Sequence, residues 1–287
     1  MISYRIPEMT RKYVEYDMIQ SHTDLPAVPD FRVRLLHAFL GEHRILSKSS
    51  DLYAVVITLV QLGMDTHDLI DTDIGKRSMR EMRSRQLKVL AGDYFSSRFY
   101  YLLAQAGQIE MVSKISAAVC EVNRLKVNLY TKMKQLKVSA EEYLSQTVQL
   151  KSELFQLFAG MLEGASSRVW SDLLPHISSC EVVLEELQRS ESVSKFRNSW
   201  AFWHIMQEGT AEEKHQLSER DHEAAVIASL VQKYDIRAKL AAKLRTASEV
   251  IRQTAARMDS DQLGGELIAQ LDSFMKKIAA PALAAEG

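Results

Sequence analysis

The sequence is poor in several things, and each shortage excludes a class of protein. Its 287 residues hold two cysteines, Cys120 and Cys180. Neither belongs to a C-x-x-C pair or has a histidine at ligand spacing, so a disulfide framework and a thiolate zinc site are excluded, and both are expected as buried small hydrophobes. No one sign of charge dominates: 36 Lys+Arg stand against 37 Asp+Glu, a formal charge of −1. That balance, with no basic run interleaved with aromatics, argues against a nucleic-acid partner. The longest apolar stretches, such as Ala54 to Leu62, are too short to cross a bilayer, so an integral membrane protein is not expected. The opening MISYRIPEMTRKYVEYD carries charge throughout and lacks the apolar core of a secretory signal. These features together predict a cytoplasmic chain.

Proline is scarce as well. Pro7, Pro26, Pro29, Pro175 and Pro281 leave residues 30 to 174 free of the residue that breaks a helix by removing a hydrogen bond and crowding the preceding turn. Within that stretch apolar residues recur three and four apart, as in Leu102, Ile109, Val112, Ile115, Val119, Val122, Leu125 and Leu129. No sustained two-residue alternation appears. The spacing therefore predicts an all-α chain with helices over 7–21, 30–45, 50–70, 84–105, 108–136, 140–163, 167–189, 193–208, 212–257 and 261–279. The 212–257 segment, charged and alanine-rich, is long enough to be two helices. Asp30 and Ser50 are expected as N-caps, Ser139 with Glu142 as a capping box, and Gly107 and Gly164 as stop points. Lengths of this kind predict antiparallel packing in one domain over residues 1–287, with a short flexible tail from about residue 280.

Chemistry concentrates in one place. Asp65, Asp68 and Asp71 lie three apart, on one helical stripe where like charges repel. Such a stripe is either a site for a hard divalent cation or a solvated helix end. Lys76, Arg77, Arg80, Arg83 and Arg85 follow at once, and acids and cations together suit a metal-bridged diphosphate or neutralise one another on the surface. Gly92 and Asp93 then interrupt an apolar helix. A mid-helix glycine costs about 1 kcal/mol relative to alanine, so close approach of a neighbouring helix is expected there. Trp200, Phe202 and Trp203 around His204 read as core or interface.

The order His67-Asp68-Leu69-Ile70-Asp71, Lys76-Arg77, Val89-Leu90-Ala91-Gly92-Asp93-Tyr94-Phe95, and then Tyr143, Lys151-Ser152, Leu154-Phe155 and Gly164-Ala165 resembles the trans-polyprenyl diphosphate synthases. Their pattern is H-D-D-x-x-D, R-R-G, V-L-x-G-D-[YF] and Y…K-T-x-x-L-F…G-A. The resemblance implies an isoprenoid synthase-like bundle of about ten helices around a deep apolar cavity, with Asp68, Asp71, Lys76, Arg77 and Lys151 as residual diphosphate ligands. The departures are equally specific. His67 stands where the first carboxylate of D-D-x-x-D belongs, Ser78 replaces the glycine after the basic pair, and the chain contains no Asp-Asp pair at all. The nearest substitute for the second acidic motif, Glu185-Glu186-Leu187-Gln188-Arg189, ends in a cation.

A synthase scaffold with worn aspartate-rich motifs is similar to the component 1 family of bacterial heptaprenyl diphosphate synthases. Leu62-Gly63-Met64-Asp65-Thr66-His67-Asp68 and Arg85-Gln86-Leu87-Lys88 leading into Val89–Ser96 carry that likeness. The resemblance implies a non-catalytic subunit, with no catalytic residue, metal site or cofactor of its own. It would work as a hetero-oligomer with a catalytic component 2 that holds Mg2+ in its active site and extends farnesyl diphosphate with isopentenyl diphosphate to a C35 chain for menaquinone. It further implies an interface on the helix carrying Tyr94, Phe95, Phe99, Tyr100 and Leu103, and room for a prenyl diphosphate or lipid. An autonomous class I terpenoid enzyme and a helical adaptor without prenyl chemistry are the rival readings.

Overall fold

The computed structural model describes residues 4–70, 75, 78–218, 223–258 and 260–279. Among them stand thirteen α-helices and no strand. They are α1 (Ile6–Val14), α2 (Asp17–Gln20), α3 (Asp30–Glu42), α4 (Ser50–Asp68), α5 (Met79–Gln105), α6 (Ile109–Lys134) and α7 (Ala140–Gln156). The rest are α8 (Gly164–Glu191), α9 (Trp200–Glu208), α10 (Ala211–Ser218), α11 (Ala224–Lys233), α12 (Ile236–Ala255) and α13 (Asp261–Ala279). The all-α expectation holds, and the chain divides into two compact units, Met1–Val119 with Gly160–Ser166 and Cys120–Ala159 with Ser167–Gly287.

In the first unit α4 is the axis. From Tyr53 to Met64 every side chain on it is buried, the signature of a helix enclosed on all sides rather than one with a single apolar stripe. Most of its polar groups are paired locally: Thr58 and Thr66 donate to the carbonyls of Ala54 and Leu62, and the Gln61 amide donates to Asp65, while Gln61 Oε1 has no partner. α1, α3 and α5 pack around it. α5 buries only Ala91, Gly92, Phe95, Phe99 and Leu103, one face at helical spacing. Leu62, Ala91 and Phe95 form a cluster covered by Val14, Ile19, Leu25 and Val28 from the N-terminal segment. Each large apolar side chain buried this way contributes roughly 1.5–3 kcal/mol.

The second unit is built on α8, whose Trp170, Leu173, Leu174, Ile177, Cys180, Val182 and Val183 are fully buried. Pro175 lies inside this helix, as the 167–189 expectation allows. α7 and α10 pack on α9, and α11 and α13 pack on α12. Trp200, Phe202 and Trp203 are core, as expected.

Several local expectations are corrected. The 212–257 segment is three helices, not one or two: Asp235 takes a left-handed φ of 50° between α11 and α12, a conformation that ends a right-handed helix and that aspartate tolerates better than most residues. Residues 7–21 split because Glu15 turns extended after Val14. α9 begins at Trp200, capped by Ser199, rather than near residue 193. Asp30 and Ser50 are the first helical residues and not caps; Asp30 accepts from Tyr4 and Arg34, and Ser50 donates to the Ser47 carbonyl. Ser139 does cap α7 through the Glu142 amide, while the Glu142 carboxylate turns to Lys132 and Gln146. Gly107 and Gly164 take positive φ at helix boundaries. Cys180 is buried but Cys120 is exposed.

Candidate functional site

The acidic stripe lies at the C-terminal end of α4. Asp65 is half-buried and held by Gln61, and Asp68 is exposed on the last helical residue. The tight final turn, with Leu69 and Ile70 bonding back to the carbonyls of Thr66 and His67, ends the helix there rather than at residue 70. Asp71, Lys76 and Arg77 lie outside the described residues. Arg80, Arg83 and Arg85 belong to the opening turns of α5, which begins at Met79 rather than at residue 84.

Ser78, standing where the resemblance expects glycine, builds the start of α5. Its hydroxyl accepts the Glu81 amide at 3.3 Å, and the Glu81 carboxylate accepts the Ser78 amide at 2.7 Å. This reciprocal box satisfies two otherwise orphaned groups of the helix end. The S-x-x-E spacing of Ser78 and Glu81 signals it in the sequence, where the comparison with R-R-G drew attention elsewhere.

His67 has a mechanical role. A Cβ placed on Gly92 would fall 2.7 Å from the His67 ring, and one on Gly63 would meet Ser96 Oγ at 2.5 Å. The two glycines therefore let α4 and α5 approach, as expected for Gly92, and the imidazole fills the space above it. His67 Nε2 reaches the Asp93 carboxylate at 3.3 Å. The residue that replaces the first motif acid is thus part of the helix contact.

In the second unit the acids nearest to a second motif are engaged by their own neighbours. Glu185 accepts from Lys151 at 2.9 Å and lies 3.9 Å from Arg189. Glu186 is 1% exposed. One of its oxygens accepts the Trp200 backbone amide at 2.5 Å; the other lies 3.1 Å from the Tyr143 hydroxyl and 3.4 Å from Arg189. Tyr143 also stands 2.7 Å from the Asn198 carbonyl. Burial pushes the Glu186 carboxyl up from its ordinary value, while Arg189, the Trp200 amide and the Tyr143 hydroxyl pull it down. Burial, then the Glu186 charge, pushes the Tyr143 hydroxyl up strongly. A carboxylate at the start of α9 also suits the positive end of the helix dipole.

Chemically, this network is closed. Lys151, expected as a diphosphate ligand, pairs with Glu185, and Tyr143, Leu154 and Phe155 of the same resemblance are core. Among the described residues no three His, Cys, Asp or Glu side chains gather as a metal site. A pair of carboxylates already bound by ammonium, guanidinium, amide and phenol donors does not fit the role of a magnesium clamp. Sequence reasoning weighed Glu185-Glu186 only as a failed motif and missed this network; the tyrosine and amide partners come from 43 positions before and 14 after Glu186.

The side chains expected at an interface divide. Phe95, Phe99 and Leu103 are buried inside the first unit, Tyr94 is half-buried with its hydroxyl against Tyr16, and Tyr100 is exposed. The exposed large apolar side chains of α5 are Met79, Met82, Val89, Leu90, Tyr100 and Tyr101.

Among the described residues no helix is long and apolar enough to cross a membrane. Residues 16–234 match the profile of a family described as heptaprenyl diphosphate synthase (HEPPP synthase) subunit 1. Heptaprenyl diphosphate synthase component 1 of Geobacillus stearothermophilus is 40% identical over 78 residues, 27% of this chain and 33% of that protein, so the match spans about a third of the relative's length. The structure is similar to a decaprenyl diphosphate synthase from Rhodobacter capsulatus, with a TM-score of 0.69, 12% identity and 95% of each chain covered. It is also similar to a heptaprenyl diphosphate synthase from Staphylococcus aureus, with a TM-score of 0.66, 13% identity, and 94% and 96% of the two chains covered. At such identities the structural likeness speaks for the fold, and the extended sequence match for the family: the chain has an isoprenoid synthase-like fold and belongs to the heptaprenyl diphosphate synthase subunit 1 family.

Proposed function

We propose that this chain is the non-catalytic subunit of a two-component, long-chain prenyl diphosphate synthase acting in the cytoplasm. In this reading a catalytic component 2 carries both intact aspartate-rich motifs and the Mg2+. The pair extends farnesyl diphosphate with isopentenyl diphosphate to the heptaprenyl product used for menaquinone. The observation that carries the reading is the engagement of Glu185 and Glu186 by Lys151, Arg189, Tyr143 and the Trp200 amide. Ionising an allylic diphosphate needs anionic oxygens on both sides of the leaving group to hold metal as charge develops. Here Glu185 and Glu186, the nearest substitute for the second acidic motif, are engaged by neighbouring side chains and a backbone amide, and the first position carries His67 against Gly92.

The subunit's contribution is then structural: it completes its partner and shapes the space into which the product grows. The outward side chains of α5, Tyr100 and Tyr101 with Tyr94 at the margin, supply aromatic anchors of the kind that dominate interface energies. Phe95, Phe99 and Leu103 support that helix from beneath. Asp68, Asp71, Lys76 and Arg77 remain candidates for a residual diphosphate contact.

The test is to incubate the purified chain with farnesyl diphosphate, labelled isopentenyl diphosphate and Mg2+, alone and with a component 2 chain from the same genome. Elongation is expected only in the mixture. Robust elongation by the chain alone overturns the reading.

A further inference from the structure

From Met79 to Leu90, the first three turns of α5, no side chain is buried; the buried face of the helix begins only at Ala91. The Ser78–Glu81 box fixes the start of the segment. Its large apolar side chains stand out from the first unit: Met79 is 83% exposed and Leu90 63%, with Met82 and Val89 exposed as well. At 3.6 residues per turn these four fall within an arc of roughly 100°, with the neutral Gln86 between them, on the side of the helix away from Ala91, Gly92 and Phe95.

Charge is arranged about that arc. Arg80 and Arg83 border one edge, Arg85 borders the other, and Lys88 lies behind it. Among the described residues none of the four cations has an acidic partner. Glu81, the single acid between residues 79 and 90, falls on the far side of the helix and accepts from the Ser78 amide and hydroxyl. The stripe ends at Asp93, beside His67.

An apolar stripe with guanidinium groups on both edges complements a plane of phosphates over hydrocarbon: the stripe sinks among the acyl chains while the long arginine side chains reach back to the headgroups. A soluble diphosphate engages the cations but leaves Met79 and Leu90 in water. Aromatic anchors of the kind that suit a protein contact sit farther along the helix, at Tyr100 and Tyr101. We infer that the first three turns of α5 lie on the surface of a bilayer carrying anionic headgroups and attach the chain to it peripherally. The inference rests on exposure and charge along α5 and not on the synthase reading, and its test needs neither substrate nor product.

The experiment is sedimentation of the full-length chain with vesicles of phosphatidylcholine alone and of phosphatidylcholine and phosphatidylglycerol in equal parts. Binding is expected to the mixed vesicles and to be at least about ten-fold weaker to phosphatidylcholine. Raising the salt from about 0.15 M to about 1 M, which shortens the screening length from about 8 Å to about 3 Å, is expected to weaken it by about ten-fold or more. Each cation near an anionic surface contributes about five-fold in partitioning, so Arg80→Gln with Arg83→Gln is expected to lose about 25-fold, and Arg80→Glu with Arg83→Glu more. Met79→Asp with Leu90→Asp is expected to lose at least about ten-fold. All four positions are exposed, so the variants are expected to keep the fold, which circular dichroism checks; the glutamine pair serves should a harsher variant fail. Equal binding to both vesicle types, unaltered binding of the folded variants, or no sedimentation overturns the inference. Release by inorganic diphosphate at constant ionic strength, with unaltered binding of the aspartate pair, overturns it and marks a phosphate site. Loss of a component 2 chain by the glutamine pair, without vesicle binding by the natural chain, overturns it and marks a protein contact.

Discussion

Glu186 Oε2 accepts the backbone amide of Trp200 at 2.5 Å, so a buried carboxylate on α8 holds the first residue of α9. Through the same side chain α8 reaches Tyr143 on α7. One acid thereby joins three helices of the second unit.

Removing that acid leaves the buried Trp200 amide without its acceptor and takes one of two carboxylates from Arg189, which is partly exposed and keeps Glu185 at 3.9 Å. Glu186→Leu is expected to destabilise the second unit by about 2–3 kcal/mol, the upper part of the range for a buried donor left unsatisfied. Glu186→Gln, which keeps the shape and a carbonyl acceptor, is expected to cost about 1–3 kcal/mol. Urea unfolding followed by tryptophan fluorescence checks both, and equal stability of Glu186→Leu and the natural chain would show the network to be dispensable.

Gly92→Ala tests the α4–α5 contact. In an open helix the change gains up to about 1 kcal/mol; here the new methyl strikes the His67 ring, and a net loss of about 1–3 kcal/mol is expected. The double variant with His67→Ala is expected to recover most of that loss, since the two residues share one space. Thermal melts of the four proteins in the cycle measure the coupling, and strict additivity would contradict the packing described.

Ser78→Ala removes the hydroxyl that caps α5. The expected cost is about 1 kcal/mol, seen in denaturant unfolding together with faster amide exchange over residues 79–83. Ser78→Gly is expected to cost only a few tenths of a kcal/mol. A loss for glycine as large as for alanine contradicts the capping role.

Two groups in the second unit predict acid sensitivity. Hydrogen bonds from Lys233, Tyr234 and the Thr210 amide hold the Glu213 carboxyl down at about 2, against an ordinary 4.5. Its folded value lies below its unfolded one, so its contribution is present above pH 4.5 and disappears as pH falls toward 2. Burial, then the Lys239 ammonium, lowers His204 below 6.5. The unfolded chain binds that proton first, so stability falls as pH drops below 6.5. Melting temperatures between pH 8 and 2 are expected to fall in two stages, with Glu213→Gln flattening the lower and His204→Gln the upper. Unchanged profiles would remove these residues as the cause.

Helix type was legible in the sequence wherever periodicity ran long and proline was absent, as over α4, α6 and α7. Breaks decided by a single backbone conformation were not. Asp235 in a left-handed turn looks, as a letter, like any charged residue of an exposed helix, so the break between α11 and α12 was not placed within a segment read as one helix or two. The close approach at Gly92 was readable because a mid-helix glycine needs a reason. Its partner His67 was not, since the sequence presents that residue as a faulty motif member. Lys151 likewise matched a ligand position by spacing, but its bond to Glu185 depends on two helices meeting. Burial of Phe95, Phe99 and Leu103 follows from their spacing along one face of α5, a pattern that marks core and interface alike.

The imidazole over Gly92 also bears on what a substitution at residue 67 does to the contact between α4 and α5. Installing an aspartate at residue 67 supplies the missing letter of the acidic motif but withdraws the ring that keeps α4 and α5 in phase. Because the His67 side chain is partly exposed, that change leaves a notch open to solvent over Gly92 and takes away the imidazole that reaches Asp93. Residues 67 and 92 therefore share one space, and a change in the size of either one is felt by the other.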